Sequence, residues 1–282
     1  MSKDLDVSTI VAYPNNDDLR LRYASLVRSD DLDFSRFVEI QVSRGKRRRM
    51  RSGESVSIAQ EEKNLISEHS KRWASGVAEH CVFVEFDRGF VSFVGIDPHV
   101  FMAMGDDLLR KAPIRHVAFD MPKAGGAFPV AALAQCHFLG GLESIHLKAL
   151  SLTDLDLAVL STSPYLSECL LMDLSYNPLG FSGFHALAQS PSTRGMLRIY
   201  RNEGSRNNYH PEQRQYQVVV DDSWSPPVSE WAPLGEDGQA LEREFGYLPW
   251  LHPQDNACDK FDARWFVDQG ILPKRPAGSP VE

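Results

Sequence analysis

The apolar spacing between Ile114 and Asn202 constrains the fold more than any other feature of the chain. Ile114-x-x-Val117-x-Phe119 sets a pattern that Leu142-x-x-Ile145-x-Leu147-x-x-Leu150-x-Leu152 repeats. Cys169-x-x-Met172-x-Leu174-x-x-Asn177-x-Leu179 is the fullest copy, and Leu197-x-Ile199-x-x-Asn202 is a worn fourth. Corresponding positions recur after about 28, 27 and 25 residues, a period typical of arrays in which each unit is one strand and one helix. Helix-like segments fall between the strand motifs, at Val130 to Leu139, Asp154 to Ser161 and Gly183 to Gln189. A unit this small has an apolar face that it cannot bury alone, so each unit must stack on the one before it.

The expected fold class is therefore α/β: a short leucine-rich-repeat-like solenoid of parallel strands plus helices, with an N-terminal helical region and an irregular C-terminal cap. Alternate residues of a strand point to opposite faces. The positions between the apolar ones are His116, Ala118 and Asp120; Ser144, His146 and Lys148; Leu171, Asp173 and Ser175; Met196, Arg198 and Tyr200. Parallel strands lie about 4.8 Å apart, so equivalent positions become lateral neighbours. The spacing predicts one row of His146, Asp173 and Arg198, with Lys148, Ser175 and Tyr200 beside it. These six residues are candidate contacts for a protein partner on the concave sheet face.

Upstream, apolar positions at Leu19, Leu21, Tyr23 and Leu26, and again at Phe34, Phe37 and Ile40, follow a helical period. Asp30-Asp31-Leu32-Asp33 interrupts them, and Asp33 is the expected N-cap of the second helix. A further helix is expected over Ser57 to Trp73. Cys81 to Phe86 and Gly89 to Val94 are rich in aromatic and β-branched residues, with Asp87-Arg88-Gly89 near their junction, which predicts a hairpin or bent strand pair. Pro98 to Arg110 returns to a helical pattern. The C-terminal third carries many prolines together with Trp224, Trp231, Trp250 and Trp265. A strand is expected at Tyr216 to Val220, and short helices at Leu241 to Phe245 and Asp262 to Val267. The chain thus divides into a helical region over 1–80, a strand pair and helix over 81–112, the repeats over 113–215, and an aromatic, Pro-rich cap and tail over 216–282. Phe245-Gly246-Tyr247-Leu248-Pro249-Trp250-Leu251 is the most distinctive string outside the repeats. Its expected role is to cover the end of the solenoid, and Tyr247 and Trp250 are its candidate partner-binding residues.

The net charge of −8 and pI near 5.6 argue against nucleic acid as the main partner, because phosphate binding rests on clustered Lys and Arg. The basic run Arg44 to Arg51 lacks interleaved aromatics and is expected to be a solvated loop between helices. No apolar run approaches the roughly 20 residues that span a bilayer, and Met1 to Asp6 lack the apolar core of a secretory signal, so a cytoplasmic, membrane-free protein is expected. Cys81, Cys136, Cys169 and Cys258 are widely separated, which suits reduced thiols rather than zinc ligands. Lys123-Ala124-Gly125-Gly126-Ala127 matches neither a phosphate loop nor a dinucleotide fingerprint and is expected to be a turn. No cofactor or metal is expected.

Residues from about 10 to 200 resemble a bacterial architecture in which a helical repeat-companion domain precedes leucine-rich repeats. The resemblance rests on Asn15 to Leu26, Phe37-Val38-Glu39-Ile40-Gln41, His69 to Trp73, Phe86-Asp87-Arg88-Gly89-Phe90-Val91, and Leu108 to Val117, in that order. The chain departs from the family where an Asp-Trp-Leu-Glu-Glu stretch is usual, and Ser25-Leu26-Val27-Arg28 stands there instead. The resemblance implies an interaction module and brings no catalytic residues.

The expected function is that of a non-enzymatic protein-interaction module, using the concave sheet face or the C-terminal aromatic segment. A sharper form is an immunity or inhibitor protein that neutralises a bacterial toxin, since an acidic surface suits a basic target. The contrasting class is a hydrolase with a site near His146 and Asp173, with Ser144 or Ser175 as nucleophile. A triad of that kind also needs an oxyanion hole, and no Gly-x-Ser-x-Gly elbow is present.

Overall fold

Four helices come first among the described residues. In the computed structural model, which describes residues 6–47, 56–122, 125–200 and 235–252, α1 spans Val7–Ala12, α2 Asp17–Val27, α3 Leu32–Arg47 and α4 Val56–Trp73. Side chains set the helix starts: Asp6 accepts from the Thr9 amide, and Asn16 accepts from the Leu19 amide at 3.1 Å. The α3 start corrects the sequence expectation. Asp31, not Asp33, accepts from the amide three residues on, that of Phe34, at 3.0 Å. Its other oxygen accepts from the Trp73 indole at 3.0 Å, and Arg72 lies beside it. Those partners on α4 fix the cap two residues earlier, while Asp33 faces His69 at 3.1 Å. Helix α3 carries the basic run as far as Arg47; its remainder, Arg48 to Arg51, lies outside the described residues.

The expected hairpin forms from β1 (Phe83–Asp87) and β2 (Phe90–Ile96), which pair antiparallel. Its turn is tight, with Arg88 at φ 52° and Gly89 at φ 90°. A Cβ on Gly89 would collide with the Val38 side chain, so the turn needs glycine for both its backbone angle and its contact with α3. The helices hold this turn from several sides. Buried Arg20 donates to the Asp87 and Arg88 carbonyls, each at 3.0 Å, and to Pro14 O at 2.7 Å. Gln41 accepts from the Gly89 amide at 2.6 Å and donates to Glu62. Buried Arg88 reaches Asp17 and Asn15. These polar groups converge on the Asp87-Arg88-Gly89 turn.

After the hairpin, α5 (Pro98–Lys111) leads into β3 (His116–Phe119), α6 (Val130–Ala134), β4 (Ser144–His146), α7 (Asp154–Ser161), β5 (Leu171–Asp173), α8 (Phe181–Gln189) and β6 (Arg198–Tyr200). Beyond β6, α9 (Glu236–Phe245) is followed by a single 3-10 turn at Pro249–Leu251. The chain is α/β, and the six strands among the described residues form one sheet in sequence order, parallel from β2 onward. Each new strand adds beside the last, and α6 packs on α7 and α7 on α8. Val94, Val117, Ile145, Met172 and Ile199 occupy equivalent positions and are all buried in one core. Each such side chain stabilises the fold by about 1.5–3 kcal/mol. Leu241, Leu248, Trp250 and Leu251, from α9 and the following turn, join this core.

Two details bind neighbouring strand-to-helix turns. Ala149 and Tyr176, at matching places after β4 and β5, both take left-handed backbone, at φ 56° and 61°. Between these turns, the Asn177 carboxamide accepts from the Leu150 and Leu152 amides, each at 3.0 Å. It donates to Leu147 O at 2.7 Å and Leu174 O at 2.9 Å. One side chain thus satisfies four backbone groups drawn from two consecutive turns.

The expected elements at Tyr216 to Val220 and Asp262 to Val267, with Asn202, Trp224, Trp231, Cys258 and Trp265, lie outside the described residues.

Candidate functional site

On the face of the sheet opposite the shared core, the ladder aligns two rows. One runs Glu85, Phe93, His116, Ser144, Leu171 and Arg198. The other runs Phe83, Gly95, Ala118, His146, Asp173 and Tyr200. His146 and Asp173 are lateral neighbours, as the sequence predicts. Arg198 is not their neighbour: it pairs with Leu171, and Tyr200 takes the place beside Asp173. The expected row was displaced by two residues on β6. Leu197 and Ile199 are both apolar and both buried, so a shift of two keeps every side chain on the correct face and leaves the apolar pattern unable to choose. The register sets Ile199, rather than Leu197, beside Met172.

A hydrogen-bonded chain crosses the middle of this face. The Ser144 hydroxyl lies 2.8 Å from His116 Nδ1 and 3.2 Å from His146 Nε2. The other His146 nitrogen, Nδ1, is 3.7 Å from Asp173 Oδ2. Asp173 also accepts from the Ser175 amide at 3.0 Å. Phe93 closes one side: its ring lies tilted against His146, with centroids 5.0 Å apart, and edge-on to His116 at 6.2 Å. At the strand ends Arg115 and Glu143 form a partly buried pair at 2.8 Å. Beyond Phe93, the Phe83 ring covers Gly95, where a Cβ would collide with it.

Burial shapes the charges here. It holds the His116 imidazole neutral down to about 4, against the pull of Glu143 and Asp87 and assisted by His146 and Arg115. Burial likewise pushes the Glu85 carboxyl up to about 7. Desolvation alone would raise Asp173, but His146 and Ser175 hold its carboxyl below the ordinary value. Asp87 also lies below its usual range despite desolvation, because Arg88 and Arg20 stand beside it. Burial drives the free thiols of Cys81 and Cys169 up, to about 11 and about 12.

The order Ser144, His146, Asp173 is that of a nucleophile, base and orienting acid. Its setting differs from a working triad. Ser144 is 1% exposed, its hydroxyl is shared by two imidazoles, and its amide donates to Arg115 O at 3.2 Å. A scissile carbonyl needs open approach to the hydroxyl and free N–H donors for the developing oxyanion. This hydroxyl and amide are committed within the sheet. Among the described residues, no group of three or more His, Cys, Asp or Glu side chains is arranged to hold a metal ion.

The remaining candidates separate by exposure. Ser175 is buried, and Lys148 is half-buried with its ammonium 5.0 Å from the Tyr176 ring centre. Tyr247 is 61% exposed and its ring stacks on His252, with centroids 5.1 Å apart. Trp250 is 5% exposed and packs toward Phe184 in the core. The two aromatics of the C-terminal string therefore divide the roles expected of it: Trp250 packs and Tyr247 faces outward. Glu85 and Phe93 were missed as members of this face. Their alternation along the hairpin was a usable signal, but only the parallel pairing of β2 with β3 reveals the face they share.

Comparison with known proteins matches no family model, no curated protein and no solved structure. Among the described residues, no helix is long and apolar enough to cross a membrane.

Proposed function

We propose that the chain is a leucine-rich-repeat-like solenoid that serves as a non-enzymatic protein-interaction module. The observation that carries this reading is the lateral alignment of equivalent positions from β2 to β6, at steps such as Val117 to Ile145 to Met172. Stacked units of this kind create a continuous surface whose residues can vary without disturbing the core. That surface carries Lys148 and Asp173, both partly accessible, and Tyr247 stands outward near its β6 end, where the 249–251 turn packs against β6. A rigid, outward aromatic with neighbouring charges suits a protein contact. The net charge of −8 favours a basic partner, and an inhibitor or immunity protein directed at a basic toxin is the sharper form of the same reading.

The Ser144–His146–Asp173 chain is the feature that favours a hydrolase instead. Its burial and its double commitment weigh against that reading. The test is affinity capture from native lysate, with the wild-type chain beside a Lys148→Glu, Tyr247→Ala variant. The expected result is one stoichiometric protein partner, retained by wild type and released by the variant. Capture of no protein by the wild type, together with ester or peptide hydrolysis lost in Ser144→Ala, would overturn the proposal in favour of the enzyme.

A further inference from the structure

Strands β3 and β4 are joined across their outer face by one hydroxyl and two imidazoles, His116 on β3 and Ser144 and His146 on β4. Ser144 Oγ has a single proton, and it sits within hydrogen-bonding distance of His116 Nδ1 at 2.8 Å and His146 Nε2 at 3.2 Å. In the neutral state the hydroxyl donates to one ring while the other ring's N–H donates to the hydroxyl oxygen. Adding one proton preserves the arrangement: a His146 imidazolium donates to Ser144, and Ser144 donates to His116. The carboxylate of Asp173, 3.7 Å from His146 Nδ1, favours that assignment. A second proton cannot be accommodated in the same way. Both rings would then point N–H groups at one oxygen, the hydroxyl proton would lose its ring acceptor, and two cations would face each other through a single atom.

We propose that Ser144, His116 and His146 form a proton-limited clasp between β3 and β4, which holds with one added proton and loosens the two strands with two. The groups facing His116 are Glu143 and Arg115 at the strand ends, Asp87 at the end of β1, and His146 on β4. His146 is faced by Asp173 on β5. Burial opposes the His116 cation, with Arg115 and His146 adding to that opposition and the carboxylates of Glu143 and Asp87 reducing it. The second protonation therefore belongs to His116 and falls in acid, well below the ordinary histidine range. This clasp is independent of any partner and does not rest on the binding role.

Histidine side-chain NMR and amide hydrogen exchange on the full chain test the clasp. The expected result is a His116 titration well below the ordinary histidine range. As His116 titrates, the protection factors of the Glu143 and Ser144 amides, which both bond to Arg115 O, fall at least tenfold after correction for intrinsic exchange. His116→Gln places a neutral amide beside Ser144 and should flatten that fall. His99→Gln, on exposed α5 surface, should keep the wild-type response. Titration of His116 at the ordinary histidine value, or an unchanged acid loss in His116→Gln, would overturn the proposal.

Discussion

Asn177→Ala isolates the coupling between consecutive units. The substitution removes an acceptor from the Leu150 and Leu152 amides and a donor from the Leu147 and Leu174 carbonyls. A buried backbone group left without a partner costs about 1–3 kcal/mol. Asn177 itself is partly accessible, so water can reach some of the four groups, and the two carbonyls tolerate the loss better than the two amides. Counting the amides near the lower end of that range and the carbonyls at less gives an expected destabilisation of about 2–4 kcal/mol. Urea denaturation at neutral pH measures it directly, as a lowered midpoint with an unchanged slope. The second signature is spatial: amide protection should fall around Leu147 to Leu152 and Leu174 to Leu179 and be retained in α2 and α3. A loss below about 0.5 kcal/mol, the range of an ordinary surface substitution, would refute the idea that this side chain links the two turns.

Other substitutions probe other parts of the account. Glu85 keeps its proton in the fold up to about 7, against an ordinary 4.5, so its native carboxyl binds a proton that the unfolded chain has already released. Its contribution to stability therefore falls as pH rises between about 4.5 and 7, and Glu85→Gln should stabilise the protein at pH 8 by about 1–3 kcal/mol with no gain at pH 4; equal effects at both pH values would contradict this. Ala149→Gly relieves left-handed backbone at φ 56° and should raise stability by about 1 kcal/mol in thermal unfolding. Trp250→Ala should cost about 3–5 kcal/mol because Trp250 lies in the core, whereas Tyr247→Ala should stay within about 0.5 kcal/mol of wild type; similar losses for the two would contradict the division between packing and exposed residues.

Much of the fold was legible because its periods are local. The strand motifs carry their inward positions at fixed spacing, and Thr153 caps α7 through a reciprocal box with Asp156, so that helix matches its expected bounds of Asp154 to Ser161. Asn177 drew notice through its place in the motif, although its service to the preceding turn is visible only in three dimensions. The failures arose where a distant partner decided the outcome. Asp31 rather than Asp33 caps α3 because Trp73 and Arg72 hold it. Arg198 missed its row because an alternating apolar pattern is blind to a shift of two. The candidate face was legible in kind but not in burial: sequence places His146 and Ser175 outward, whereas both are buried in the sheet surface. The link from Ser144 to both imidazoles needed the lateral pairing of β3 with β4, which brings His116 beside Ser144.

The central claim is that this chain acts by holding a protein against its repeat surface. Hydrogen–deuterium exchange of the full chain, alone and with its captured partner, tests it most directly. The account predicts added protection at 146–149, 173–176 and 246–248, with α1 to α4 unchanged. Protection confined to α1 to α4, or none at all beside turnover that depends on Ser144, would contradict it.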